Sequence, residues 1–204
     1  SLQIGGLFRG AIIKKGGKIV SETHVMMGAT MEDAISQLKK DAKEPIDAVI
    51  FAGDDAAAIE VLNEMRKQGI KAPVIGGDIL YTGEFLKNGG ELAVGTILYA
   101  GFFPYDKLPV VSKFVSEYKR KTGKEPGIVS ANAYDSFMLI AEAVKQAKST
   151  NPVIVKESLA KISMQGITGN ITMDAHREAV RQPFLIRVVR SDKKAVFELV
   201  GEWR

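Results

Sequence analysis

The residues of this chain with the most chemical potential are acidic, and they stand where apolar runs end. Asp54 and Asp55 follow the run 47–52, DAVIFA, and Asp78 follows the run 73–77, PVIGG. A carboxylate at the carboxyl end of a buried strand lies where open α/β sheets hold their ligands. There it can pair with an ammonium group. The same residue type has a structural use, since Asp at a helix start accepts bonds from free N–H groups and favours the positive end of the helix dipole. For Asp54 and Asp55, which lead into a helical pattern, capping and ligand contact both stand. No convincing helix begins directly behind Asp78, so turn chemistry and ligand contact stand side by side there. Tyr81, Tyr99, Phe102 and Phe103 fall near strand ends or at a change of texture just past residue 100. They could line a cleft or pack under loops.

Other chemistries lack their residues. The paired glycines at 5–6, 16–17, 76–77 and 89–90 fit neither GxGxxG nor GxxxxGK[ST], so no phosphate-cradling loop is expected. HExxH, a DxDxDG loop and GxSxG are absent, as is Cys, and the two histidines, His24 and His176, have no evident third metal ligand. No catalytic residue, metal or cofactor is expected. Twenty-eight Lys and Arg against 24 Asp and Glu leave a net charge of +4 on 204 residues. The one basic run, Lys119-Arg120-Lys121, is offset by Glu117 and Glu125 and has no interleaved aromatics, which reads as helix surface and not a nucleic-acid face. No apolar stretch reaches the roughly 18 residues that a membrane helix needs.

The elements that must position these residues follow from periodicity and punctuation. Residues 4–14 carry Leu7, Phe8, Ala11 and Ile12 at helical spacing, and Gly16-Gly17 ends them. Lys18-Ile19-Val20 reads as a short strand. Thr30 and Asp33 form a helix start before Ala34, Ile35 and Leu38. The run 47–52 reads as a strand buried on both faces. A helix over about 56–68, a strand at 73–77, a short helix at Phe85-Leu86 and a strand over 92–99 follow. This alternation is the pattern of a doubly wound sheet, with no strand ahead of the first helix. Past Gly101-Phe102-Phe103-Pro104 come helices over 109–122, 131–147 and 152–162, then strands at 171–173, 183–189 and 195–200. Phe184, Ile186 and Val188 alternate as in a half-buried antiparallel strand.

Seven segments in order carry a wider pattern: KGGKIV (15–20), IDAVIFAG (46–53), KAPVIGGD (71–78), GTILYAGFFP (95–104), FVSEYKRKTGKEP (114–126), ANAYDSFMLIAEAVKQA (131–147) and GITGNITMD (166–174). Together they resemble the periplasmic-binding-protein type I family, in its leucine/isoleucine/valine-binding branch of solute receptors for ABC transporters. The resemblance implies an α/β fold of two flavodoxin-like lobes that enclose a ligand by hinge closure. In that frame this chain is expected to be incomplete, with the first lobe largely absent. Residues 1–101 would be the second lobe without its first strand, 104–167 a returning segment of first-lobe helices, and 170–204 a return to the second lobe as edge strands.

The resemblance also implies a function. An extracytoplasmic receptor of this kind binds an amino acid or similar amine-bearing solute, hands it to a membrane permease and turns nothing over. A ligand-sensing regulator or receptor domain of the same fold is the alternative. Asp78 stands where relatives place an acidic residue against the ligand ammonium. Asp54 takes a position that is often aromatic or small in relatives, a departure that leaves room for an extra donor on the ligand. Asp55, Tyr81, Phe102 and Phe103 complete the expected ligand-binding set. A periplasmic or extracellular location is implied, with a lipid anchor on an absent N-terminus and a missing N-terminal fragment as a partner.

Overall fold

The computed structural model describes residues 2–25, 28–181 and 183–202. Ser1, which heads the first expected segment, and Trp203 and Arg204, which end the last, lie outside them. Helices form where the sequence supplies a start, an apolar stripe and a stop. α1 spans Leu2–Lys14. α2, Met31–Asp41, is entered through Thr30, whose hydroxyl accepts from the Asp33 N–H, and it buries Ala34 and Ile35. α3, Asp55–Lys67, turns Ala58, Val61 and Met65 inward. It stops at Gly69, whose φ of +76° lets the Ile70 N–H return to the Met65 carbonyl at 2.8 Å. α4 is Gly83–Gly89. α5, Pro109–Thr122, has Pro in its first turn and left-handed Gly123 past its end. α6 is Ile128–Ala147 and α7 is Pro152–Leu159.

The strands are β1 (Val49–Ile50), β2 (Val74–Gly76), β3 (Ile97–Ala100), β4 (Ser163–Gly166), β5 (Gly169–Met173), β6 (Ala179–Val180), β7 (Phe184–Ser191) and β8 (Lys194–Glu202). They form a five-stranded sheet in the order β1-β2-β3-β7-β8 and a three-stranded sheet in the order β4-β5-β6. β1, β2 and β3 are parallel, with Val49 opposite Val74 and Ile75 opposite Ile97. Entry to β3 is bent. The Gly95 N–H donates to the Val188 carbonyl, the Val188 N–H donates to the Thr96 carbonyl, and Gly95 sits at φ +93°. Two residues therefore face one, the bulge that a left-handed glycine makes between antiparallel strands.

The chain divides into two compact units. The first comprises residues 1–99 with 186–200 and the second residues 100–185 with 201–204. The first unit holds most of the larger sheet. Ile35, Val49, Val61, Met65 and Val74 form one of its cores. Leu80, Phe85, Leu98, Ile186 and Val188 are fully buried as well. In the second unit α5 and α6 bury Val111, Phe114 and Ala131 with Phe102 and Ile167. Leu139 and Ala143 of α6 pack with Ile162 and Ile171 of the small sheet.

Three expectations are corrected. The fold class was expected to be two-lobed but incomplete, with one lobe largely absent. A single family match runs unbroken over residues 4–194, and the chain builds an α/β fold with two distinct sheets. At the level of elements, Lys18-Ile19-Val20 forms no strand. The run 92–99 is not one strand either: residues 90–93 coil into a 3-10 turn and the regular strand begins only at Ile97, past the Gly95 bulge.

Candidate functional site

In the first unit the carboxyl ends of three parallel strands gather most of the residues singled out by the sequence. Asp54 and Asp55 follow β1, Asp78 follows β2, and Tyr99 lies in β3. Asp54 is the N-cap of α3, and its carboxylate accepts from the Ala57 N–H at 2.9 Å. Its capping role is therefore real. Asp55 accepts from the Ala56 N–H at 2.9 Å and, at its other oxygen, from the Thr82 hydroxyl at 3.4 Å. That contact ties the head of α3 to the head of α4. Thr82 was not singled out from the sequence. It is the N-cap of α4, accepting from the Phe85 N–H at 3.0 Å, and a Thr three residues before a buried Phe is the signal that could have found it.

Asp78 opens a 3-10 turn, Asp78–Leu80, whose carbonyl–amide closure runs from Tyr81 N–H to Asp78 O at 2.9 Å. Asp78 is half-buried. Among the described residues no ion pair neutralises Asp54, Asp55 or Asp78. The edge is therefore electronegative and receptive to a cation. Tyr99 stands beside it. A Cβ at Gly77 would lie 3.3 Å from the Tyr99 hydroxyl, so the glycine before Asp78 is what lets the ring close over that backbone. Burial pushes the Tyr99 phenol above its usual value, and the Asp78 carboxylate adds to the rise. Tyr99 also meets Phe8, with ring centroids 6.0 Å apart and the rings tilted. Tyr81 packs on Phe197 at 4.4 Å.

Phe102 and Phe103 do not share this environment. Both belong to the second unit. Phe102 is wholly buried and meets Phe114 edge-on at 6.0 Å. Phe103 is packed between Tyr105 and Phe184 at 5.6 and 5.9 Å. The structure places both in aromatic packing. His24 lies at the surface 3.7 Å from Glu22, and the His176 N–H is tied into a turn by Asp174.

The second unit holds a polar centre that the sequence did not announce. Asp135 of α6 is 2% exposed. Its carboxylate accepts from the Ile167 N–H at 2.9 Å, the Thr168 N–H at 2.8 Å and the Thr168 hydroxyl at 2.6 Å. Ile167 and Thr168 are the tip of the β4–β5 hairpin, where Gly166 pairs with Gly169. Arg181 donates to the Thr168 hydroxyl at 3.3 Å and to Asn132. A Cβ at Gly166 would fall 2.6 Å from an Asp135 oxygen, so only glycine fits there. The carboxylate thus pins the hairpin tip to α6.

Known proteins share this architecture. A family model described as "Periplasmic binding protein" matches residues 4–194. A Leu/Ile/Val-binding protein homolog 2 from Brucella abortus is 26% identical over 145 residues, covering 69% of this chain and 38% of that protein. The crystal structure of a leucine-binding protein from Thermotoga maritima superposes with a TM-score of 0.83 at 22% identity, over 99% of this chain and 56% of that one, a likeness of fold. A branched-chain amino acid transporter substrate-binding protein from Streptococcus pneumoniae, solved with isoleucine, gives a TM-score of 0.68 at 28% identity, over 90% of this chain and 52% of that one. The chain spans well under half the length of the curated relative and about half of these solved chains. With a match over nearly all of its residues and this arrangement of parallel strands and helices, the chain belongs to the periplasmic binding protein family.

Proposed function

We propose that this protein is an extracytoplasmic solute-binding component of an ABC transporter, and that its solute is an amino acid or a similar small molecule bearing an amine. In this reading the solute is enclosed by hinge closure and passed to a membrane permease, with no bond made or broken. One observation carries the choice of an amine: Asp78 stands half-buried at the carboxyl end of β2 with no counter-ion among the described residues. A partly desolvated carboxylate in that position gains from a charge-assisted bond to an ammonium group. Asp54 and Asp55 at the neighbouring strand end raise the local negative potential, and Tyr81 and Tyr99 offer apolar ring surface next to it. The isoleucine in the Streptococcus pneumoniae relative supports the same class of solute.

The test is equilibrium binding by isothermal titration calorimetry, with L-isoleucine as the probe. Asp78→Ala should weaken binding by about tenfold or more, the loss of one charge-assisted contact. Asp78→Asn, which keeps the shape, should lose nearly as much. An unchanged dissociation constant in both variants removes Asp78 from the site.

A further inference from the structure

At the carboxyl edge of the first unit two polar groups lack a hydrogen-bond partner among the described residues, the Asp78 carboxylate and the Tyr99 hydroxyl. Both residues are half-buried. Their acidic neighbours are already engaged: Asp54 accepts from the Ala57 N–H, and Asp55 from the Ala56 N–H and the Thr82 hydroxyl. A polar group drawn partly out of water ordinarily has a partner.

Strand register brings the two together. Gly76 of β2 lies opposite Leu98 of β3, which carries Tyr99 up beside Gly77, the residue before Asp78. Leu98 and Ala100 are wholly buried, so Tyr99 points to the other side of the sheet. From there its ring reaches across to β2: a Cβ on Gly77 would lie 3.3 Å from the hydroxyl and 3.4 Å from two ring carbons. Phe8 of α1 packs against the same ring. Burial, and after it the Asp78 carboxylate, raise the phenol above its usual value. At neutral pH the oxygen therefore keeps its proton and offers its lone pairs as a neutral acceptor.

We infer that Tyr99 makes the site selective for a primary ammonium: its hydroxyl oxygen accepts a second N–H from the solute amine whose first N–H is held by Asp78. The inference rests on the reading of Asp78 as the amine contact and narrows the class of solute. A primary ammonium has three N–H groups and serves both acceptors. A tertiary ammonium keeps the charge but has one N–H, which goes to the stronger acceptor, the carboxylate. The phenol oxygen is then left beneath the solute without a bond, and an acceptor desolvated in that way weakens binding.

The experiment is calorimetric titration of the parent, Tyr99→Phe and Asp78→Asn with L-isoleucine and with N,N-dimethyl-L-isoleucine. The parent should bind isoleucine about tenfold or more tightly than the dimethyl analogue. Tyr99→Phe keeps the ring and loses only the oxygen. It should weaken isoleucine about fivefold or more, the effect of one hydrogen bond to a charged group, and leave the analogue nearly unchanged, so that the preference collapses. A Tyr99 that served packing alone would weaken both solutes alike. That result, or a preference that survives in Tyr99→Phe, overturns the inference. The two readings fail separately. If Asp78→Asn weakens isoleucine and Tyr99→Phe does not, the amine reading stands and this inference falls. If isoleucine does not bind, or binds indifferently to Asp78→Asn, the amine reading falls and this inference with it.

Discussion

Removing the Asp135 carboxylate should markedly destabilise the second unit. Its three bonds all end on the hairpin tip at Ile167 and Thr168, and both of those residues are buried. Asp135→Ala deletes the acceptor and strands two N–H groups that water does not reach. An unsatisfied buried donor costs about 1–3 kcal/mol, so the two together cost about 2–6 kcal/mol. Relief from burying a carboxylate offsets part of this, and the net expectation is a loss of about 2–4 kcal/mol. With a urea slope of about 2 kcal/mol/M, the unfolding midpoint should fall by roughly 1–2 M. Urea titration followed by far-UV circular dichroism reads that shift. Hydrogen exchange locates it, because the amides of Ile167 and Thr168 should lose protection before those of α5 or α6 do. Asp135→Asn should lose less, since its amide keeps one acceptor oxygen. A loss below about 1 kcal/mol in Asp135→Ala, or exchange that accelerates evenly along the unit, would refute the idea that the carboxylate pins the hairpin.

Two further predictions follow from close contacts. Gly166→Ala places a methyl 2.6 Å from the same carboxylate and should destabilise by about 1–3 kcal/mol, the usual cost of overpacking; thermal unfolding with no change in midpoint would contradict it. The Tyr99 phenol should titrate above the ordinary tyrosine value, read at alkaline pH by ultraviolet difference spectra against Tyr99→Phe. Asp78→Asn should lower the midpoint without restoring the ordinary value, because burial is the larger cause and Asp78 the smaller. Because the folded state holds the phenolic proton more tightly, this contribution to stability is present below the unfolded value of about 10 and is lost as pH rises through the folded value. Tyr99→Phe should therefore lose stability less steeply above about pH 10, and equal slopes would refute the sign.

What was legible in the sequence was mostly local. The span of α5 coincides with the expected 109–122, because Pro109 and Gly123 punctuate it and its apolar stripe is strong. Thr30 was readable as a cap because its partner, Asp33, is three residues away. The strand ends at Asp54 and Asp78 were visible for the same reason. What failed depended on distant partners. Lys18-Ile19-Val20 has strand composition, yet composition does not supply a neighbour to pair with. The approach to β3 is broken by Gly95, whose positive φ is required only because Val188, far along the chain, lies opposite. The β4–β5 hairpin was missed because Ser163–Gly166 lacks apolar alternation, and its tip is held by Asp135, more than thirty residues upstream. An aromatic near a strand end does not reveal which way it faces. Phe102 and Phe103 turned into packing, while Tyr99 came to rest against Gly77 beside Asp78.

The proposed amine site was half-visible for the same reason. Its acids are marked by local grammar, but their company is set by strand order. β2 lies between β1 and β3, which brings the ends carrying Asp54, Asp78 and Tyr99 together. No periodicity states that order. Fold class showed the same limit, since the missing leading strand suggested an absent lobe, whereas residues 100–185 organise a sheet and cores of their own.

The central claim, a receptor whose solute is recognised through an amine at Asp78, is tested most directly by equilibrium binding to matched solutes. L-Isoleucine and its deaminated analogue, 3-methylpentanoate, should be titrated into the parent protein and into Asp78→Ala. The account predicts saturable binding of isoleucine to the parent, about tenfold or more weaker binding of the analogue, and a loss of that preference in the variant. Equal or tighter binding of the amine-free analogue at a site indifferent to Asp78 would contradict it.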